Sequence, residues 1–240
     1  MRQDLETSAS ASWLWDIDPR AKLISIFFLT GVIAMVREVN TLLFSLMITM
    51  GLILLSGISI LPLLKRFSLS FPFIIFATFS LYWTGGIYPA EAIFLRITTA
   101  VFLLLLLSST TPFFSLLQGL RALRMPEIYL QMLLFVHHYI YVFRREMERM
   151  EEAKRARGFI VKESILNRHV ATIFASSAGA LLVRAYERGK MFYNALQSRG
   201  FQGELKGGVP LTLQVKDAVF TTLIILISFW LLFIEWYGVV

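Results

Sequence analysis

Residues 128–159 read IYLQMLLFVHHYIYVFRREMERMEEAKRARGF, and whether this stretch crosses a membrane decides the fold. Its first half, Ile128 to Phe143, is apolar enough to resemble a span. The residues that follow oppose that reading. A crossing from inside to outside would deliver Arg144, Arg145, Arg149, Lys154, Arg155, Arg157, Lys162 and Arg168 to the external face, against the bias that keeps Lys and Arg in cytoplasmic segments. The stretch is therefore expected to start at the inner face of a membrane, pack its apolar half there, and run on as a charged helix to about Arg157.

The rest of the chain supplies the membrane. Of 240 residues 57% are hydrophobic and only 16% charged, with a mean hydropathy of +0.68, outside the usual range for a soluble domain. Val39 to Leu64, Phe67 to Ala90 and Ala218 to Ile234 carry no charge, and each approaches or exceeds the ~20 residues that cross a ~30 Å hydrocarbon layer as a helix. With 23 Lys and Arg against 16 Asp and Glu, the net charge of +7 points to cytoplasmic loops facing anionic lipid or protein, and not to nucleic acid. There is no cysteine, which excludes disulfides, thiolate metal sites and a cysteine nucleophile. The polar first twenty residues, with Trp13 and Trp15, do not resemble a signal peptide.

Four spans are expected early, at Leu23–Val36 and at about 41–64, 67–84 and 93–109, with Lys22 and Arg37 reaching the interfaces on their long stems. Arg20 and Lys22 precede the first, Lys65 and Arg66 follow the second, and Arg121 and Arg124 follow the fourth, whereas Gly85 to Pro89 carries no basic residue. The N-terminus is therefore expected in the cytoplasm and the Gly/Pro turn outside. A fifth span is expected at about 217–236. The fold class is an all-α integral membrane protein: a four-span bundle over 1–109, a cytoplasmic region over 110–215 with one short amphipathic and two long helices, and a C-terminal span over 216–240.

The cytoplasmic region opens at Thr110-Thr111-Pro112, a hydroxyl N-cap followed by proline at the first helical position. Ser115, Gln118, Arg121 and Arg124 then recur opposite Phe113, Phe114, Leu117, Leu120 and Leu123 until Pro126, giving an amphipathic helix that lies on the inner membrane surface or packs on the bundle. The second long helix is expected over about Asn167 to Arg199. Ala175-Ser176-Ser177-Ala178-Gly179-Ala180 would allow close helix contact, and Leu182, Tyr186, Tyr193 and Leu196 form one stripe.

Both long helices finish on one phrase, Arg155-Ala156-Arg157-Gly158-Phe159 and Gln197-Ser198-Arg199-Gly200-Phe201. A single copy reads as a helix cap, with Arg complementing the negative end of the dipole and Gly supplying the left-handed residue that stops the helix. A second copy at an offset of 42 residues, also aligning Ala153 with Ala195, points beyond capping. A small residue before the Arg leaves room for a partner, and the guanidinium offers a rigid fork to carboxylates or carbonyls.

These two Ala/Ser-Arg-Gly motifs, with Asp18-Pro19-Arg20-x-Lys22, Thr111-Pro112 and Leu123-Arg124-Met125-Pro126, resemble the transmembrane T component of energy-coupling factor (ECF) transporters, over nearly the whole chain. Tyr193 to Gly203 is similar to the cobalt/nickel-type, CbiQ-like branch. The resemblance implies a non-catalytic scaffold in a four-part importer with two ABC ATPase subunits and a separate substrate-binding membrane subunit. It also implies coupling residues at Ala156, Arg157, Gly158, Ser198, Arg199 and Gly200, each Arg docking on one ATPase; Ser198 stands where the motif has Ala, and a small residue is retained. The cargo it implies is cobalt or nickel, the alternative being a vitamin-type transporter. ATP would be bound by the partners, and no cofactor by this chain.

Other readings find less support. No G-x-x-x-x-G-K-[ST] loop is present, since Gly189-Lys190 precedes Met191. No H-E-x-x-H or G-x-S-x-G motif marks a membrane-embedded enzyme. A stand-alone secondary transporter would place ionisable groups at mid-membrane, whereas here charges gather at span ends. His137 and His138 are adjacent, about 100° apart on a helix, and do not readily share a metal. Arg96 is expected to snorkel to the outer interface near Glu91.

Overall fold

The computed structural model describes residues 17–158, 168–200 and 214–238. Among them are eight helices: α1 (Pro19–Met35), α2 (Val39–Leu55), α3 (Ile60–Gly85), α4 (Ile87–Thr110), α5 (Phe113–Ala122), α6 (Glu127–Ala156), α7 (Arg168–Ser198) and α8 (Val215–Gly238). They fall into two compact units, α1–α5 with α8 in one and α6 with α7 in the other.

The ends of α1 follow from its flanking residues. Proline occupies its first position, and the Asp18 carboxylate accepts the Arg20 backbone N–H at 2.9 Å, pairing a proline with preset φ and a side-chain cap. The boundary between the second and third apolar runs differs from the sequence expectation. α2 stops at Leu55, and the chain turns through Ser56 and Gly57, whose φ of +67° is left-handed. Lys65 and Arg66 do not mark the break. They lie inside α3, which starts at Ile60 and continues through Pro72. Basic residues resembled a loop, but the residue able to take φ > 0 determined where the turn falls.

Three helices, α3, α4 and Val215–Tyr237 of α8, are long and apolar enough to cross a membrane. α2 is a shorter apolar helix, and α1 matches its 17 residues, about 26 Å at 1.5 Å per residue. Hydrogen bonds far apart in sequence set the helix directions. Asp18 N–H donates to Asp217 Oδ1 at 2.8 Å, and at the far end of the same two helices Arg37 N–H donates to Glu235 Oε1 at 2.7 Å. α1 and α8 therefore run parallel. Lys22 Nζ donates to Thr110 O at 3.3 Å and Arg96 donates to Val36 O, so α4 runs antiparallel to both.

These bonds correct the expectation for Lys22 and give Arg96 its partner. Lys22 does not snorkel; it is 2% exposed and turned onto the last carbonyl of α4. Arg96 donates to the Val36 carbonyl at the end of α1, where the chain turns extended, and among the described residues no bond joins it to Glu91.

Leu29, Ile33, Val36, Leu42, Leu103, Ile224 and Leu231 form the centre of the bundle, flanked by Phe67 stacked on Phe102 at 4.5 Å. Between the helices run buried hydroxyl residues: Ser25, Thr41, Ser45, Thr49, Thr98, Thr99 and Ser228. Ser45, Thr49, Thr99 and Ser228 return their hydroxyl protons to backbone carbonyls three or four residues earlier. Small side chains let helix axes approach, and back-bonding removes the cost of burying an unpaired hydroxyl. The outer surface is apolar: Phe73, Phe76 and Trp83 of α3 are at least three-quarters exposed, as lipid-facing residues are.

α5 packs on the bundle through Gly119, where an added Cβ would lie 2.9 Å from Leu23 Cδ1 and 3.3 Å from Pro19 Cβ. Its start and stop differ from the expected ones. The Thr110 hydroxyl bonds back to Leu106 O and caps nothing, and Pro112 is the N-cap. The helix ends at Ala122, four residues before Pro126; Arg124 then takes a left-handed φ of 62°, and Pro126 becomes the N-cap of α6.

Candidate functional site

The two Arg-Gly phrases close α6 and α7 with one local geometry. Gly158 has φ +80° and donates its N–H to Arg155 O at 2.9 Å; Gly200 has φ +70° and donates to Gln197 O at 2.9 Å. One residue earlier, Arg157 N–H reaches Lys154 O and Arg199 N–H reaches Leu196 O, both at 3.1 Å. Each helix thus tightens in its last turn and stops at a left-handed glycine, which leaves the preceding arginine at its tip. Ala156, Arg157, Gly158, Ser198, Arg199 and Gly200 are all exposed. A Cβ on either glycine would meet nothing within 4 Å. Among the described residues, no hydrogen bond or ion pair engages either guanidinium. Phe159 and Phe201, the last residue of each phrase, lie outside the described residues, as does the span to Gly203.

The packing of α6 on α7 separates these tips. Phe192 of α7 meets Phe135 and Tyr139 of α6 edge-on at 5.0 and 5.8 Å; further along α6, Glu146 pairs with Arg184, and further still Lys154 donates to Ser177 and lies 6.0 Å from the Phe174 ring centroid. As the position on α6 rises, its partner on α7 falls, so the helices are antiparallel. In this register Arg199 lies opposite the start of α6, about 26 residues from Arg157, which puts the tips roughly 40 Å apart at 1.5 Å per residue. The repeat had implied two helices of similar build without fixing their relative direction. A sequence offset aligns phrases by translation, whereas the structure relates them by reversal.

Among the described residues of α7, those withdrawn from solvent are Ile173, Ser177, Leu181, Ala185, Phe192 and Leu196. Of the small-residue stretch only Ser177 is buried, at 4% exposure. Leu182, Tyr186 and Tyr193 of the expected stripe are exposed. They sit one position off the packed face, whose register is set by Phe192 wedged between two α6 aromatics. A second exposed stripe, Ile128, Met132, Val136 and Ile140, recurs every four residues along α6. A groove between the two helices, about 200 Å³, is lined by Phe143, Glu146, Arg184 and Met191. His137 contacts Tyr141 and His138 contacts Tyr139, each edge-on, and no His/Asp/Glu cluster suited to a metal occurs among the described residues. Sequence reasoning missed Asp217 and Glu235, the carboxylates that tie α8 to α1. Their signal was a lone acid at each end of an uncharged run.

The family model for the CbiQ cobalt transport protein matches residues 10–209. The cobalt transport protein CbiQ of Rhodobacter capsulatus is 34% identical over 49% of this chain and 46% of its own. The energy-coupling factor transporter transmembrane protein EcfT of Lacticaseibacillus paracasei is 26% identical over 80% of this chain and 82% of its own. Nickel permease LarQ of Lactiplantibacillus plantarum is 25% identical over 92% and 79%. In the matches at 30% and 34% identity, the chain spans slightly less than half of the relative's length. The match of the family model across both Arg-Gly helices, with the apolar bundle, places this multi-pass membrane protein in the CbiQ cobalt transport family.

Proposed function

We propose that this chain is the membrane scaffold of an energy-coupling factor importer, transmitting ATP-driven movement of two ATPase subunits to a separate substrate-binding membrane subunit. One observation carries the reading: two tips of the same capped geometry, each with an exposed arginine, at opposite ends of an antiparallel pair. Tips roughly 40 Å apart cannot enter one small pocket. They suit two copies of one kind of partner, one arginine to each. A planar guanidinium fits carboxylates and carbonyls in a groove, and the glycine beside it lets the partner approach the backbone.

Closure of the two ATPases on ATP would move the tips relative to one another. The pair answers as a strut because Glu146–Arg184, Lys154–Ser177 and the Phe135/Tyr139/Phe192 cluster hold it at three levels. The exposed stripe Ile128/Met132/Val136/Ile140 supports an apolar membrane partner, the substrate-binding subunit, with lipid around the bundle. Cargo is cobalt or nickel, supported by the family description and by the relatives named for those metals. ATP belongs to the partners, and this chain performs no catalysis. The N-terminus and both tips face the cytoplasm of the cytoplasmic membrane, with the Gly85–Gly86 turn outside. Tagging the chain, solubilising it gently and identifying what co-purifies tests the scaffold reading: ATPase subunits in the eluate support it, and a chain that purifies alone while still transporting refutes it.

A further inference from the structure

From the end of α4 at Thr110 the chain passes to α5, which packs on the bundle, and on to α6 and α7, and it enters α8 at Gln214. Both attachment points are held by the first turn of α1. On the departing side, the Lys22 ammonium donates to Thr110 O at 3.3 Å. On the returning side, Asp217 accepts Gln214 N–H on Oδ2 and Asp18 N–H on Oδ1, both at 2.8 Å. Asp18 joins the two clamps: its carbonyl accepts the Lys22 backbone N–H at 3.2 Å, and its side chain caps Arg20 N–H. Asp18, Lys22 and Asp217 are each at most 7% exposed, and Thr110 is 2% exposed. α5, the first element of the departing segment, rests on Pro19 and Leu23 of the same turn through Gly119.

Apolar helix packing is non-directional and tolerates small slides, whereas buried charged hydrogen bonds are not easily displaced without leaving an unpaired charge out of water. Among the described residues, these contacts between helix ends are buried and meet both chain connections. We propose that Asp18, Lys22 and Asp217 are positioning residues that anchor both connections of the coupling segment, so that force delivered at the Arg157 and Arg199 tips moves the bundle instead of stretching the joints. This inference rests on the scaffold reading above.

The test uses the chain assembled with its two ATPase subunits and its membrane substrate subunit in liposomes, probed with cobalt(II) and nickel(II). Two variants divide the anchor. Lys22→Met removes the departing clamp. Asp217→Asn keeps an acceptor for Asp18 N–H, and with it the tie of α8 to α1, but presents an amide N–H₂ to Gln214 N–H and so releases the residue at which the returning chain enters α8. Each should assemble and hydrolyse ATP like the parent while uptake per ATP falls roughly 2- to 30-fold, the range over which coupling mutations act. A second readout needs no cargo. In Asp217→Asn the Gln214 amide should exchange with deuterium faster during ATP turnover than with ADP, since force would open the weakened joint; a purely structural role predicts no dependence on turnover. Unchanged uptake per ATP with exchange independent of turnover overturns the anchor, as does failure of both variants to insert or assemble. A parent chain that captures no ATPase overturns the scaffold reading itself, before any variant is compared.

Discussion

Gly200→Ala tests whether the tips depend on backbone conformation or only on the arginine. Gly200 holds φ +70°, and an added Cβ would meet nothing within 4 Å, so alanine brings no clash within the chain. The cost is conformational, about 1–2 kcal/mol for an L-residue held left-handed. The exposed last turn relieves that cost by unwinding, and the fraction of chains with Arg199 correctly presented falls accordingly. At 1.4 kcal/mol per decade, ATPase affinity at this tip should drop roughly 5- to 30-fold. The measurement is a titration of the ATPase subunits onto detergent-solubilised chain in an Arg157→Glu background, which silences the other tip. Gly200→Asn should recover most of the loss, because asparagine tolerates the left-handed region. An unimpaired Gly200→Ala, or an asparagine variant as impaired as the alanine one, would refute the conformational argument; the latter would place the requirement in close approach by the partner.

Leu103 is fully buried at the centre of the bundle, so Leu103→Ala should cost about 2–5 kcal/mol, read as a lower thermal midpoint of the chain in detergent with ATPase capture still present below it. Glu235→Ala removes the acceptor of the Arg37 and Glu38 N–H groups that precede α2 and should cost about 0.5–2 kcal/mol, seen in the same melt; no change would show that water replaces the carboxylate. For topology, the chain has no native cysteine, so single cysteines can be read cleanly. One at Gly86 should label from outside intact cells and one at Glu151 only after the membrane is opened; the reverse pattern would invert the orientation.

The sequence made some of this architecture legible because the signals were local. The apolar start of α6 runs on unbroken into its charged half, and the glycines ending α6 and α7 sit where left-handed caps form. The break between α2 and α3 was misplaced because Lys65 and Arg66 resemble a membrane boundary, while Ser56-Gly57 is a short signal inside an apolar run. The antiparallel crossing could not be read at all. It depends on Phe192 meeting Phe135 and Tyr139, a pairing between residues more than fifty positions apart with no shared pattern. The same distance hid the ties of Asp18 to Asp217 and of Arg37 to Glu235, nearly 200 residues away. Lys22 was visible as a charge at a helix start, but charge alone does not separate a snorkelling lysine from one turned inward onto a carbonyl.

On the proposed reading, Arg157 and Arg199 are the points at which ATPase subunits engage this chain. Reversing both together, Arg157→Glu with Arg199→Glu, leaves the bundle untouched, since both side chains are exposed at helix tips. The tagged double variant should insert into the membrane at the parent's level and retain no ATPase in a pull-down, while each single variant retains a reduced amount. ATPase recovered with the double variant at the parent's stoichiometry would show that the ATPases engage the chain elsewhere.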